Sequence, residues 1–202
     1  MLDLVIVEDE EIIRRYYIGL CEQRKGQVSD DEVYKLELLM KQAGLSLGDR
    51  RVTGPALEKE KETGQPAAAV ELPDGQIVTG KTSELLGCCS AMLLNALKVL
   101  GGIDDERELI SPSIIEPIQS LKVNNLGGHN PRLHMEEVLI ALSICAVTDP
   151  EAKKALDQIP KLYGCETHCT VIVSDVDVNP CRKLGLRLTN EPVYQEKKLY
   201  HV

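Results

Sequence analysis

The stretch from Ala67 to Leu100, AAAVELPDGQIVTGKTSELLGCCSAMLLNALKVL, constrains the fold more than any other part of the chain. Pro73-Asp74-Gly75 is a turn signal between two β-prone runs, Val70 to Leu72 and Gln76 to Thr79, and it predicts a hairpin. Leu93, Leu94, Leu97 and Leu100 then recur at spacings of three and four, the period of one apolar helix face, and Gly101-Gly102 supplies the stop. The junction Gly80-Lys81-Thr82-Ser83-Glu84 reads as the place where a strand hands over to a helix start. A helix start presents unpaired N–H groups and a positive dipole end, so with a lysine and two hydroxyls beside it this junction is a candidate anion site.

The same residues spell a different motif. Gly75 to Thr82 satisfies the phosphate-loop pattern G-x-x-x-x-G-K-S/T. In that motif the four intervening residues form a loop whose amides wrap phosphates. Here they are Gln76, Ile77, Val78 and Thr79, a run that prefers an extended strand, and Asp74-Gly75 already accounts for the first glycine as a turn. Val171 to Asp175 imitates the magnesium-binding strand end of such enzymes, but apolar strands ending in Asp are common. The hairpin is the preferred reading, and a phosphate-loop nucleotide-binding protein is the lesser alternative.

The chain has length for one large domain, or a compact domain with an appendage, and 43% hydrophobic against 27% charged residues belongs to the ordinary globular class. Phe and Trp are absent, so base stacking is poorly provided for, and a net charge of -9 argues against nucleic acid or an anionic membrane as partner. A small molecule or another protein suits it better. Seven cysteines cannot all pair and no signal peptide precedes them, which predicts a reduced, cytoplasmic protein. The longest apolar run, residues 138–147, is too short to span a bilayer and is expected as a buried helix.

Met1 to Glu11 resembles the opening strand of a response-regulator receiver, but the next residues read as two consecutive helices, 12–26 and 29–44, the second with a Ser29/Glu32 capping box and a Gly44 stop. Glu8 to Glu11 are then helix-start charges. After a polar connector, residues 55–63 form a short charged helix closed by Gly64. Past the central stretch, Arg107 to Ser111 is expected as a brief strand, and Ser111-Pro112 or Ser113 starts a helix that Pro117 kinks or restarts. Residues 135–147 and a segment capped by Asp149-Pro150 are helical. Cys165 to Asp175 is a strand, Asn179-Pro180 opens a short helix ended by Gly185, Leu186 to Thr189 is a final strand, and residues 190–202 form a polar tail, a candidate arm toward another subunit. Alternating strands and helices after residue 66 predict a mixed sheet with helices on both faces.

His129, Asn130, Arg132 and His134 fall within six positions, after two glycines and before a helix. Arg offers a fixed fork for a carboxylate or phosphate, the two imidazoles are candidate proton carriers, and Asn can orient a substrate. The alternative is that His129 and Asn130 cap turns while Arg132 pairs with an acidic neighbour. Cys165, His168 and Cys169 do not converge on one ion without a partner from elsewhere, Cys88 and Cys89 are expected to be buried on different sides of their helix, and His168 is expected to be a packed sheet residue. His134-Met-Glu136 with Pro180-Cys181 falls short of the zinc-deaminase signature, since Leu184 stands where the second cysteine belongs. No metal set is assigned, and the cofactor is unknown.

The segments EIIRRYY, MKQAG, GPALEKEKETGQPAAAVELPDGQIVTGKTSELLG, LGGHNPRLHMEEVLIALSICA and KLGLRLTNEPVYQEKKLYH resemble the C-terminal part of the uncharacterised bacterial family known as domain of unknown function eighteen-forty-six. The resemblance implies proteins about twice this length, judged against usual domain sizes, with a separate G-P-G-S-G-K loop in an upstream half. That half is absent here and residues 1–10 depart from the pattern, so the sequence reads as a fragment, a gene-call artefact or a split protein. It also implies a three-layer α/β sandwich similar to cytidine deaminases without their metal motif, here over residues 51–202, preceded by a helical segment over 1–50. It supplies no reaction. The expected function is a ligand-binding domain of a larger protein. Lys81, Thr82 and Ser83 would hold an anionic small molecule, and His129, Asn130, Arg132 and His134 would complete the pocket. The alternative from another class is a noncatalytic assembly module, as a homo-oligomer or bound to the upstream half.

Overall fold

The computed structural model describes residues 2–195, with side chains from Asp9 onward. In chain order the helices are α1 (Leu2–Arg24), α2 (Asp30–Ala43), α3 (Thr53–Thr63), α4 (Cys88–Gly101), α5 (Pro112–Ser120), α6 (Met135–Cys145), α7 (Pro150–Leu156) and α8 (Asp175–Lys183). The strands are β1 (Ala67–Glu71), β2 (Ile77–Lys81), β3 (Glu166–Cys169) and β4 (Arg187–Asn190). They form one mixed sheet in the order β2-β1-β3-β4. β1 is antiparallel to both neighbours, and β3 runs parallel to β4 through α8. Parallel neighbours need a crossover, and α8 is that crossover. Among the described residues no helix is long and apolar enough to cross a membrane.

The hairpin forms as its turn residues predict. Gly75 has φ 83, Gly75 N–H donates to Leu72 O, and the Asp74 carboxylate accepts from Gln76 N–H at 3.0 Å. β1 is buried at every residue from Ala67 to Val70, the continuous pattern of a strand covered on both faces. Ala68 and Val70 join the large core with α4, while Ala69 packs with Val52 and Ala56 on the opposite side. Three layers follow from that alternation.

The register places Ala68 between Gly80 and Cys169, and residues paired across strands share a face. α4 lies over this row of small residues. A Cβ at Gly80 would sit 2.5 Å from Met92 Cα and 2.6 Å from Ala91 C, and closer still to Met92 N, so the helix rests directly on strand backbone. The other face is held by a fully buried Arg50. It donates to Glu10 and Glu166 carboxylates at 2.9 and 2.6 Å, to Thr167 O at 3.0 Å, to Arg187 O at 2.8 Å and to Thr189 Oγ1 at 3.0 Å.

Several expectations need correction. The segment 107–111 is not a strand: Leu109 and Ile110 are adjacent and both buried, plugging the core from a loop. The strand expected over residues 165–175 ends at Cys169, and α8 begins at Asp175 with Ser174 as N-cap, so Asn179 and Pro180 lie inside that helix. α6 is not buried all round, because Ile140 and Ile144 are exposed. Glu10 and Glu11 lie well inside α1, paired with Arg50 and with Arg14 and Arg15, and are not helix-start charges. The tail folds back on its own chain as far as it is described: Ile172 N–H donates to Val193 O, and Tyr17 OH donates to Glu191. From residue 196 it lies outside the described residues.

Gly80→Ala is expected to lower unfolding free energy by about 3 kcal/mol or more, since backbone and not a flexible side chain must yield. Gly54→Ala, exposed near the start of α3 with nothing beyond its chain neighbours within 4 Å of the added carbon, is expected to change it by no more than about 1 kcal/mol, since the gain in helix propensity is offset by the following Pro55. Urea titration of both variants checks the contrast.

Candidate functional site

The strand-to-helix junction is longer than the sequence reading placed it. The N-cap of α4 is Gly87, so Lys81, Thr82 and Ser83 precede the helix by several residues and do not form its first turn. Thr82 N–H donates to Pro66 O, extending the hairpin by one bond, and Ser83 Oγ accepts from Leu85 and Leu86 N–H in a tight local turn. Because residues 77–81 are a paired strand, no loop is available there to wrap phosphates, and the G-x-x-x-x-G-K-T letters are a coincidence of turn and strand.

Instead of continuing into a helix, Leu86 makes a parallel bridge with Leu133. Leu133 N–H donates to Leu85 O at 2.9 Å, Gly87 N–H to Leu133 O at 3.2 Å, and the buried Ser90 hydroxyl to the same Leu133 carbonyl at 3.0 Å. The segments leading into α4 and α6 are thereby sewn side by side. The start of α8 joins them through Asp177. Its Oδ1 accepts from Met135 N–H at 3.1 Å, and its Oδ2 lies 2.8 Å from His134 Nδ1. Three helix N-termini thus meet, each contributing orphan amides and a positive dipole end.

This arrangement unites part of the predicted set. Arg132 Nε donates to Ser83 O at 2.8 Å, and Asn130 Nδ2 lies 3.5 Å from His134 Nε2. Asn130 Oδ1 also accepts from Arg132 N–H, so the turn-capping role holds for it, whereas Arg132 reaches a carbonyl and not an acid. Thr82 is buried, while Lys81 and His129 are exposed, and among the described residues their side chains make no hydrogen bond or ion pair. Among the clefts of the described residues, one borders this junction at Leu85 and Leu86 and another lies at the hairpin turn. The first, an apolar one of about 230 Å³, is lined also by Leu94, Ile110 and Ile115, and the second, a mixed-charge one of about 530 Å³, by Arg51, Glu71 and Glu166.

Lys122, Asp177 and a cysteine cluster were missed from the sequence. Lys122 pins the loop by donating to Arg132 O at 2.7 Å and to Glu137 at 2.8 Å. Asp177 was legible in principle, since Ser174-x-x-Asp177 has the form of a capping pattern. Beneath these groups Cys88 and Cys89, the first two residues of α4, do not diverge as expected. With Cys169 their sulfurs all lie within 4.8 Å of one another, Cys88 Sγ 3.3 Å from Cys169 Sγ. Hydrogen bonds from Cys169, then from Cys89, hold the Cys88 thiol well below its usual range, against burial and the nearby Asp177 charge.

His168 is a sheet residue, as its place in an apolar strand predicts. It is fully buried on the Arg50 face, its Nδ1 2.8 Å from Thr189 Oγ1 and its Nε2 3.1 Å from Glu191, with the Tyr17 ring 4.9 Å away. Burial lowers its pKa; the Glu191 hydrogen bond and charge pull it up, and Arg50 pushes it down, for a net depression.

A four-stranded α/β sandwich with a polar face built where three helices begin is the class these features define. The chain belongs to the family whose model is described as domain of unknown function DUF1846, C-terminal, which matches residues 48–200. A UPF0371 protein of Corynebacterium efficiens is 52% identical over 191 residues, which cover 95% of this chain and 39% of the relative. A UPF0371 protein of Streptococcus pyogenes serotype M5 gives the same figures, and one of Corynebacterium urealyticum is 51% identical over 95% of this chain and 38% of its own. The chain therefore spans about two-fifths of the length of these relatives.

The depressed His168 pKa sets a sign. The unfolded chain takes up the proton at about pH 6.5 and the folded one only below that, so the contribution is complete above about pH 6.5 and is lost as pH falls toward the folded value. Urea unfolding between about pH 7 and 5 is expected to show stability declining with acid, with a shallower slope for His168→Gln. An unchanged slope contradicts this reading.

Proposed function

We propose that this chain is the ligand-binding α/β portion of a larger cytoplasmic protein and takes an anionic, phosphate-bearing small molecule beside the junction of α4 and α6. The observation that carries this reading is the Arg132–Ser83 hydrogen bond, together with the Leu86–Leu133 bridge behind it, which brings the two polar loops to one place. Arg132 supplies a fixed charged fork, the exposed Lys81 at the end of β2, two residues before Ser83, is the second cation of the proposed set, and the surrounding helix starts favour negative charge. Asn130 and His134 complete the polar set, with Asp177 fixing the imidazole. His129, exposed on the same loop, is the remaining member of the proposed set.

Calorimetric titration with inorganic phosphate and a set of phosphorylated metabolites tests this. Saturable binding is expected, weakened about tenfold or more by Arg132→Ala and by Lys81→Ala, the scale of a hydrogen bond to a charged group. Lys35→Ala, an exposed α2 residue, should leave it unchanged. Equal affinity in all variants contradicts the reading.

One observation favours an assembly module. Ile18, Tyr34, Leu38 and Leu39 on the N-terminal helices are exposed apolar side chains. On this reading sedimentation velocity shows a concentration-dependent dimer that Leu39→Glu abolishes, and a monomer at every concentration excludes it.

A further inference from the structure

Of the seven cysteines, Cys88, Cys89 and Cys169 alone gather into one group among the described residues. They are 5%, 1% and 0% exposed and come from the two sides of the helix–sheet contact. Their position is imposed by the fold. Cys169 lies in the row of Gly80 and Ala68 on the face that α4 covers, and the close seating of α4 on Gly80 brings its first turn down to that sulfur. We propose that these three side chains form a zinc site, with Zn²⁺ held by three thiolates and a fourth position left for water or a small ligand.

The geometry is near what the ion requires. Zinc takes thiolate sulfur at about 2.3 Å, and a tetrahedral ion holds its sulfurs about 3.8 Å apart, so the Cys88–Cys169 pair at 3.3 Å opens by about half an ångström while the other separations, all within 4.8 Å, adjust around it. The charge balance selects the metal. Three thiolates with Zn²⁺ leave a net charge of -1, whereas Cu⁺ would leave -2 in a dry core, where uncompensated charge is strongly unfavourable. The residual negative charge falls at the first turn of α4, whose dipole end is positive. Among the described residues the ligand atoms that lie within 4.8 Å of one another are the three sulfurs, and the Asp177 carboxylate is not in that group. Binding three thiols as thiolates releases three protons and forms three Zn–S bonds, with no change of oxidation state.

The site uses other residues than Arg132 and Lys81, so either proposal can fail without the other. The reduced chain is titrated with Zn²⁺ alone and Co²⁺ alone. One ion per chain is expected, with intense sulfur-to-cobalt charge-transfer absorption. In urea just below the unfolding transition, where buried thiols react through transient opening, Zn²⁺ should slow alkylation of Cys88, Cys89 and Cys169 while Cys145, half-buried and outside the cluster, reacts equally with and without it. Cys169→Ser should weaken binding by more than the roughly 10–100-fold that follows loss of an outer-shell partner, and Cys165→Ser should leave it unchanged. No saturable binding, a cobalt form without charge transfer, or a Cys88–Cys169 disulfide that zinc fails to prevent overturns the proposal. If Cys169→Ser does not fold, the cobalt spectrum of the unsubstituted chain, and the zinc dependence of its alkylation in urea, decide the matter.

Discussion

The contact of α4 with bare strand backbone at Gly80 is the constraint on which the rest depends. A helix normally stands off a sheet by the length of the side chains between them, but under its first turns this one meets only glycine, alanine and a small thiol. Burial of Met92, Leu93 and Leu97, worth about 1.5–3 kcal/mol each, holds it there. With α4 seated so low, its N-terminal turn reaches Cys169, and residues 85–87 lie level with Leu133. The positions of α6 and, through Asp177, of α8 follow from that level.

The opposite face is organised by charge. Arg50 has no solvent exposure, and its guanidinium bonds two carboxylates, two carbonyls and a hydroxyl drawn from α1, β3 and β4. Such a pair adds little net stability when intact, but loss of one partner costs about 3–5 kcal/mol, because a buried charge is then left alone. Its effect is geometric. Glu10 can pair with Arg50 only when α1 lies across the β3–β4 side, so the network fixes where the N-terminal helices dock, beside the His168–Glu191–Tyr17 cluster.

Local signals in the sequence were legible, and long-range ones were not. The hairpin, the Ser29/Glu32 capping box, the Gly44, Gly64 and Gly102 stops and the Asp149-Pro150 cap all follow from residues within a few positions of one another. The start of α4 was misplaced because nothing near residue 84 announces a partner at Leu133, and a parallel bridge leaves no local mark. Cys88 and Cys89 looked divergent for the same reason: their convergence is created by Cys169, 81 residues away, and by the register that sets it opposite Ala68. The contact of Arg132 with Ser83 is a guanidinium donating to a carbonyl 49 residues away, and no local signal in the sequence announces it.

If the three helix starts are one stitched unit, native-state hydrogen exchange reads it directly from three amides: Leu133, Gly87 and Met135, bonded respectively to Leu85 O, Leu133 O and the Asp177 carboxylate. They should open only in the same cooperative event as the β1 amides of the central strand. Exchange of these three by local fraying, at the low free energy of the loop around Asp104 to Glu108, would contradict the account.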